Sequence, residues 1–197
     1  MKSNQDYITV LFGNLAQDDQ KAFEALYNLL YSPIYRFVRY FLQEEDAKEI
    51  VSEIFFKIWK NRCRIEKVEN KTSYIYQIAK NECFDFLSKN RLGTTIDYED
   101  IPISFSLKSE DCDEGLIEAE MMDIFYKAVD QLPERCKLIF LMVRVDQLKY
   151  KEVAEILSLT VGTIEQQMNI AIKRISEAVS IYYPSLGKLQ RGNKSIG

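Results

Sequence analysis

Histidine is absent from this 197-residue sequence. Its absence excludes Ser-His-Asp and Cys-His catalysis, the zinc motifs built on histidine, and most general bases that work at neutral pH. The four cysteines form no Cys-x-x-Cys pair, so no complete zinc ligand set is expected. We therefore predict a protein that is not an enzyme and that uses no metal, cofactor or small-molecule substrate.

A signal peptide and long apolar runs are also lacking. The N-terminus becomes polar at once, and no run of about 18 apolar residues follows. Hydrophobic residues make up 47% of the chain, which excludes disorder throughout. Together with four unpaired cysteines, these features favour a cytoplasmic protein without membrane insertion.

The net charge is misleading when it is taken over the whole chain. A formal charge of −4 argues against nucleic acid, because phosphate contacts need Lys and Arg. Divided along the sequence, the charge is −4 for residues 1–56, +5 for 57–91, −9 for 92–123 and +4 for 124–197. Two positive segments therefore flank one strongly acidic segment.

The acidic segment has the composition of a connector. It contains Gly, Pro and Ser, and it shows no sustained helical periodicity before about residue 116. A loop of this length is uncommon inside one compact domain. We therefore predict two helical domains, at 1–91 and 116–182, joined by an acidic linker at 92–115 and followed by a tail at 183–197.

Apolar residues recur at helical spacing on both sides of the linker, and no strand pattern is evident. Asp18 or Asp19 is placed to cap a helix that begins near residue 20. Pro33 predicts a kink or break in that helix, because proline removes a backbone donor. The predicted fold class is all-α, with helices also at about 34–42, 44–61, 72–91, 116–131, 134–145, 149–157 and 161–182.

The helix at about 72–91 has a polar face that contains one aromatic residue. Cations with an interleaved aromatic can bind single-stranded nucleic acid, because the cations track phosphates and the ring stacks on a base. The alternative is an ordinary exposed face with a lone phenylalanine. A wheel of about 100° per residue places Ile75, Ala79, Cys83 and Phe86 on the apolar face of this helix. The opposite face carries Gln77, Lys80, Asn81, Phe84, Ser88 and Arg91. The chain just before the helix is rich in basic residues, namely Lys57, Lys60, Arg62, Arg64, Lys67 and Lys71.

Two closely spaced helices near the C-terminus form a helix-turn-helix pattern. A short amphipathic helix with the small Ala154 is followed by a turn at 158–160 and a longer helix. Gln and Asn can bridge adenine edges in the major groove, while Lys and Arg reach guanine or phosphate. The alternative is a simple helical hairpin with a polar outside. The longer helix is predicted to bury Val161, Ile164, Met168, Ile172 and Ile175 and to expose Thr163, Gln166, Gln167, Asn169, Lys173 and Arg174.

These segments resemble the extracytoplasmic-function (ECF) sigma factors, the sigma-70 proteins that have only sigma domains 2 and 4. The resemblance covers about residues 5–91 and 116–180. Residues 46–59, DAKEIVSEIFFKIW, are similar to the family pattern D-A-x-D-L-V-Q-E-x-F-x-x-x-W. Residues 78–81, IAKN, followed by Asp85, resemble the family pattern I-A-R-N-x-x-x-D. In the C-terminal part, LP at residue 132 resembles L-P, YKEVA at residue 150 resembles Y-x-E-I-A, and GTI at residue 162 resembles G-T-V.

The resemblance implies an RNA polymerase sigma factor that binds the core enzyme and directs promoter-specific initiation. Domain 2 would dock on the clamp helices of the largest subunit and melt the minus-10 element, where contacts to an unstacked base offset the cost of unstacking. Domain 4 would read the minus-35 element as duplex, and an anti-sigma factor would hold the domains closed. The implied contacts are, for polymerase, Asp46, Glu49, Ile50, Glu53, Phe56 and Trp59; for minus-10 DNA, Arg62, Arg64, Tyr74, Gln77, Lys80, Asn81, Phe84, Ser88 and Arg91; and for minus-35 DNA, Lys149, Thr163, Gln166, Gln167, Asn169, Lys173 and Arg174.

Several residues depart from the family pattern. Ser52 stands where Gln is usual, so one polymerase contact is expected to be weaker or replaced. Ser88 and Tyr74 replace a frequent Arg and Trp. Residues 165–167 and Asn169 replace a more basic set, which shifts the expected specificity from phosphate contacts towards amide contacts with bases.

Some alternatives stay open at the level of sequence. Trp59 and Phe55 are equally well explained as core residues. The linker either mimics nucleic acid in the RNA-exit path of polymerase or is a solvated tether. The chain as a whole is alternatively a stand-alone helix-turn-helix regulator or a helical adaptor that binds only protein. A sigma factor differs from the stand-alone regulator because it gains specific promoter binding only with core polymerase.

Overall fold

A computed structural model of the protein describes residues 2–90 and 116–182. Within these two ranges the chain forms helices and turns without strands, which confirms the all-α prediction. The predicted linker, the predicted tail and Arg91 lie outside the described residues. The helices are α1 (Lys2–Leu15), α2 (Gln20–Arg39), α3 (Glu44–Lys60), α4 (Arg62–Glu66), α5 (Lys71–Asn90), α6 (Leu116–Asp130), α7 (Glu134–Arg144), α8 (Tyr150–Leu157) and α9 (Val161–Tyr182).

Helix α2 corrects the prediction made from Pro33, because it continues through the proline to Arg39. Leu30 before the proline, and Ile34 and Phe37 after it, are all buried on one stripe of the helix. Burying each such side chain contributes about 1.5–3 kcal/mol, whereas an interior proline costs about 3 kcal/mol. Packing on both sides of the proline therefore outweighs the missing hydrogen bond.

The start of α2 follows the capping prediction. Asp19 is the N-cap, and its Oδ1 accepts hydrogen bonds from the backbone N of Lys21 at 2.9 Å and of Ala22 at 3.4 Å. The preceding Asp18 adopts a left-handed conformation with φ of 64°. These two residues turn the chain sharply between α1 and α2.

Helix α1 was not predicted from the sequence. Its inner face consists of Ile8, Leu11, Phe12 and Leu15, all buried against the neighbouring helices. Their spacing of three and four residues is the usual signature of an amphipathic helix. The helix packs on α2, α4 and α5 and completes an N-terminal unit of α1–α5.

The C-terminal unit, α6–α9, contains the helix-turn-helix motif. Ser158, in the turn, has φ of 56°, a left-handed conformation that more commonly falls to glycine. Thr160 then caps α9, since its Oγ1 accepts a hydrogen bond from the backbone N of Thr163 at 3.1 Å. The tight turn that the sequence predicted is therefore present.

The buried face of α9 is narrower than predicted. Ile164, Met168 and Ile175 are buried, but Val161 and Ile172 are 41% and 39% exposed. On a wheel of about 100° per residue, these two lie at the edge of the stripe that the buried residues define. No described helix has a stretch long and apolar enough to cross a bilayer.

Candidate functional site

The outer face of α3 is acidic with one large apolar side chain. Glu49, Glu53 and Phe56 are exposed along it, and Phe56 keeps 59% of its surface accessible. Asp46 is half-buried at the start of this face. Ile50 corrects the predicted contact set, because it is only 7% exposed and packs into the core.

The structure also resolves the alternatives for Phe55 and Trp59. Phe55 is buried, and its ring centroid lies 6.5 Å from that of Phe23 in an edge-to-face arrangement. Trp59 is half-buried, with its ring centroid 5.3 Å from that of Phe23. The Arg62 guanidinium lies 4.7 Å from the Trp59 ring centroid, within cation–π range. Phe55 is therefore a core residue, and Trp59 packs at the edge of that core.

The cations in the last turn of α3 and in α4 differ in their freedom to meet a phosphate. Arg62 is tied to Asp18, with 2.7 Å between Nε and Oδ1, and Lys57 pairs with Glu82. Arg64 is exposed. Both paired cations help to hold the helices of the N-terminal unit together, so their availability to DNA is lower than the sequence predicted.

The polar face of α5 is largely covered by α8. Lys80 Nζ donates to the Ile156 carbonyl at 2.8 Å, and Gln77 Nε2 donates to the Glu155 carbonyl at 3.1 Å. Lys80 is consequently only 8% exposed. The prediction of an open face is therefore wrong for this part of the helix, because a segment about 76 residues away in sequence packs on it.

The remaining α5 residues are distributed around the uncovered part of the helix. Asn81 is exposed, whereas Tyr74 and Ser88 are half-buried. The Phe84 ring packs edge-on against Phe41, with 5.7 Å between centroids, so it is partly committed to the core.

The recognition face of α9 lies open to solvent. Thr163 and Gln167 are half-buried, and the Thr163 hydroxyl lies 2.8 Å from that of Thr160 at the start of the helix. Lys149 is exposed at the N-cap of α8, where its backbone N donates to Glu152 Oε2 at 2.8 Å. The exposed side chains of the face are Gln166, Asn169, Lys173 and Arg174.

A buried ionic cluster joins the two units. Asp146, in the loop between α7 and α8, accepts from Arg36 Nε at 2.7 Å and from the Tyr40 hydroxyl at 2.9 Å. The Asp146 side chain has no exposed surface. Burial raises the pKa of its carboxyl group, while the hydrogen bonds from Arg36 and Tyr40 act in the opposite direction. Sequence reasoning missed this cluster because its members lie more than 100 positions apart.

A second polar contact lies on the same interface. Asn70, before α5, donates from Nδ2 to Glu155 Oε2 at 3.0 Å. Glu155 belongs to the first helix of the helix-turn-helix motif, so this contact also ties α8 to the N-terminal unit.

Comparisons with known proteins place both units in one family. The family model described as sigma-70 region 2 matches residues 23–92, and that described as sigma-70, region 4 matches residues 122–175. The ECF RNA polymerase sigma-E factor of Haemophilus influenzae is 23% identical over 179 residues, covering 86% of this chain and 93% of that protein. The corresponding factor of Escherichia coli K12 is 24% identical over 177 residues, with the same shares covered. The chain is an ECF sigma factor of the sigma-70 family.

A solved structure supports the fold of this sigma factor. The structure of CnrH in complex with the cytosolic domain of CnrY has a TM-score of 0.60 to this chain at 15% identity. The structural alignment covers 89% of this chain and 98% of the CnrH chain. In this sigma factor the region 2 match contains the α3 and α5 faces, and the region 4 match contains the helix-turn-helix motif, while α1 precedes both matches.

Proposed function

We propose that this RNA polymerase sigma factor binds the core enzyme through the outer face of α3 and reads the minus-35 element through α9. The observation that carries the proposal is the open face of α9, where Gln166, Asn169, Lys173 and Arg174 share one side of the second helix of a helix-turn-helix motif. Amides at such positions pair with base edges, and cations contact guanine or phosphate.

The exposed face of α3 supports the polymerase contact. Phe56 offers an accessible aromatic ring between carboxylates, including Glu49 and Glu53. Protein interfaces commonly centre on such an aromatic anchor with a polar surround. Nothing within the described part of the chain covers this ring, which leaves it available for the core enzyme.

Contact with the minus-10 strand is proposed for α5 and the cations before it. Arg64 and Asn81 are accessible in the structure as it stands. Gln77 and Lys80 join them only after α8 has moved away from α5, because their polar atoms bond to the α8 backbone. Strand capture by the full surface therefore requires the two units to separate.

A protein partner that restrains the sigma factor is also proposed. The structural neighbour CnrH is in complex with the cytosolic domain of CnrY, which supports a similar anti-sigma partner here. Such a pairing would act in the cytoplasm, where polymerase and promoter DNA are found.

The test compares DNA selection with and without core polymerase. Tagged protein is incubated with sheared genomic DNA, alone or with the core enzyme, and the retained fragments are sequenced. We expect enriched fragments to share two short motifs at a fixed spacing only when core polymerase is present. Specific enrichment by the protein alone would support the stand-alone regulator, and no enrichment in either mixture would support an adaptor that binds only protein.

A further inference from the structure

An open groove runs between α6 and α9, at the end of the recognition helix. Its volume is about 480 Å³, and Ile124 of α6 and Ala178 of α9 are among the residues that form its apolar surface. Ile181 and Tyr182 also line the groove, with 75% and 65% of their surface accessible. Apolar side chains gain free energy when another apolar surface covers them. The groove is therefore suited to an occupant that supplies apolar side chains.

The α6 side of the groove is acidic. Glu120 and Asp123 line it, and both are exposed. Asp123 Oδ2 lies 2.6 Å from Lys127 Nζ, one turn further along the helix. Over its whole length, α6 contains four carboxylates and one lysine, which gives it a net charge of −3. Electrostatic complementarity therefore favours an occupant that also carries positive charge.

The charge of the groove distinguishes between the two long segments of this chain that lie outside the described residues. Residues 92–115 contain seven carboxylates and one lysine, so α6 repels them. Residues 183–197 contain no acidic side chain and three cations, namely Lys188, Arg191 and Lys194. The tail therefore matches the groove in charge, and the linker does not.

The tail also begins at the groove. Tyr182, which lines the groove, is the last residue of α9, and the tail follows it directly. Pro184 disfavours a longer α9, because proline lacks a backbone donor and restricts the residue before it. From Glu120 to Ala128, α6 rises by about 12 Å, a distance that about four extended residues cover. The tail therefore has ample length to cross the groove.

We propose that residues 183–197 fold back onto the groove between α6 and α9 and form a C-terminal latch that holds α6 against the recognition helix. In this arrangement Leu186 and Leu189 cover the apolar surface, and the tail cations pair with Glu120 and Asp123. Support from the tail matters for α6, because α9 is the helix on which α6 mainly packs. The latch goes beyond the DNA contacts proposed above, since it concerns the support of α9 and not its recognition face.

The first test measures hydrogen exchange by mass spectrometry in the full chain and in a chain that ends at Tyr183. We expect the amides of residues 124–130 to exchange about tenfold faster in the shorter chain, equivalent to about 1.4 kcal/mol, because α6 opens more often without its cover. Exchange in α3 should be the same in both chains. Equal exchange of residues 124–130 in the two chains would overturn the latch.

The variant Ile181→Ser shows whether the tail is what covers the groove. Replacing an exposed side chain usually changes stability little, so this variant should have an effect only where the tail covers Ile181. We expect it to speed exchange of α6 about fivefold in the full chain and to leave exchange unchanged in the chain that ends at Tyr183. Val10→Ser, at a comparably exposed apolar residue of α1, is the matched control and should have no effect on α6 in either chain. Equal effects of Ile181→Ser in both chains would overturn the tail as the occupant.

The second test identifies the groups that the tail contacts. A carbodiimide joins an amine directly to a carboxylate, and the Asp123–Lys127 pair provides an internal positive control. Mixing isotopically light and heavy chains distinguishes links within one chain from links between two. We expect links within one chain from Lys188 or Lys194 to Glu120 or Asp123. If the control link forms while the tail lysines react only with linker carboxylates, only with a second chain, or with no carboxylate of α6, the latch is overturned. None of these measurements depends on DNA or polymerase, so they leave the proposed function to its own test.

Discussion

The recognition face of α9 can be tested by two neighbouring substitutions with opposite consequences. Gln166→Ala removes an exposed amide, so the free energy of unfolding should change by less than about 0.5 kcal/mol. A good amide-to-base contact provides about 1–3 kcal/mol of discrimination. Promoter-specific transcription should therefore fall by about 5- to 150-fold, while binding to core polymerase is retained.

Met168→Ala should show the reverse pattern. The side chain is fully buried between α9 and the rest of the C-terminal unit, so its truncation should lower the free energy of unfolding by about 2–5 kcal/mol. Lys173→Ala, on the open face, should resemble Gln166→Ala, with a loss that depends more strongly on salt because a cation is removed.

The assay combines thermal unfolding with transcription by reconstituted holoenzyme at several salt concentrations. Gln131→Ala, an exposed amide at the end of α6, is the matched control and should leave both quantities unchanged. Normal transcription by both Gln166→Ala and Lys173→Ala would refute the assignment of this face to DNA. A large loss of stability in Gln166→Ala would refute its placement on the surface.

Three further predictions concern the N-terminal unit. Phe55→Ala should lower the free energy of unfolding by about 3–5 kcal/mol, because Phe55 is buried. Phe56→Ala should leave the free energy of unfolding nearly unchanged and should weaken binding to core polymerase in a titration. Equal effects of the two variants on stability would contradict the burial assigned to these residues. Alkylation of the native protein, followed by mass spectrometry, should show fast modification of exposed Cys63 and little modification of Cys83. Cys83 is buried, and its burial also raises the pKa of its thiol. Equal alkylation rates at the two cysteines would contradict this prediction. Ser73→Ala should raise the free energy of unfolding by about 1 kcal/mol, because its buried hydroxyl has no hydrogen-bond partner among the residues that the structure describes; a decrease measured by denaturant titration would contradict this.

Local periodicity accounts for the features that the sequence could predict. The amphipathic pattern of α3 and the short turn between α8 and α9 depend on residues that are close in sequence. Their positions therefore follow from the spacing of apolar side chains. Asp19 as the cap of α2 follows for the same reason. Most of the exposed residues predicted for α9 also follow, although Thr163 and Gln167 are half-buried. Of the residues predicted to be buried, Val161 and Ile172 lie outside the buried stripe.

Tertiary packing accounts for the features that the sequence did not predict. Pro33 stays within a helix because the apolar stripe continues on both sides of it. Lys80 is covered because α8 meets α5 across a long separation in sequence. Asp146 lies in a loop without a periodic pattern, so nothing near it in the sequence indicates Arg36 as its partner.

The most direct test of the central claim is transcription in vitro with core RNA polymerase on fragmented genomic DNA, followed by sequencing of the transcript 5′ ends. We expect defined start sites that appear only when the protein is added. We also expect two shared upstream motifs at a fixed spacing, and Gln166→Ala should weaken recognition of the distal motif. Start sites that do not depend on the protein, or that lack a shared distal motif, would contradict the account.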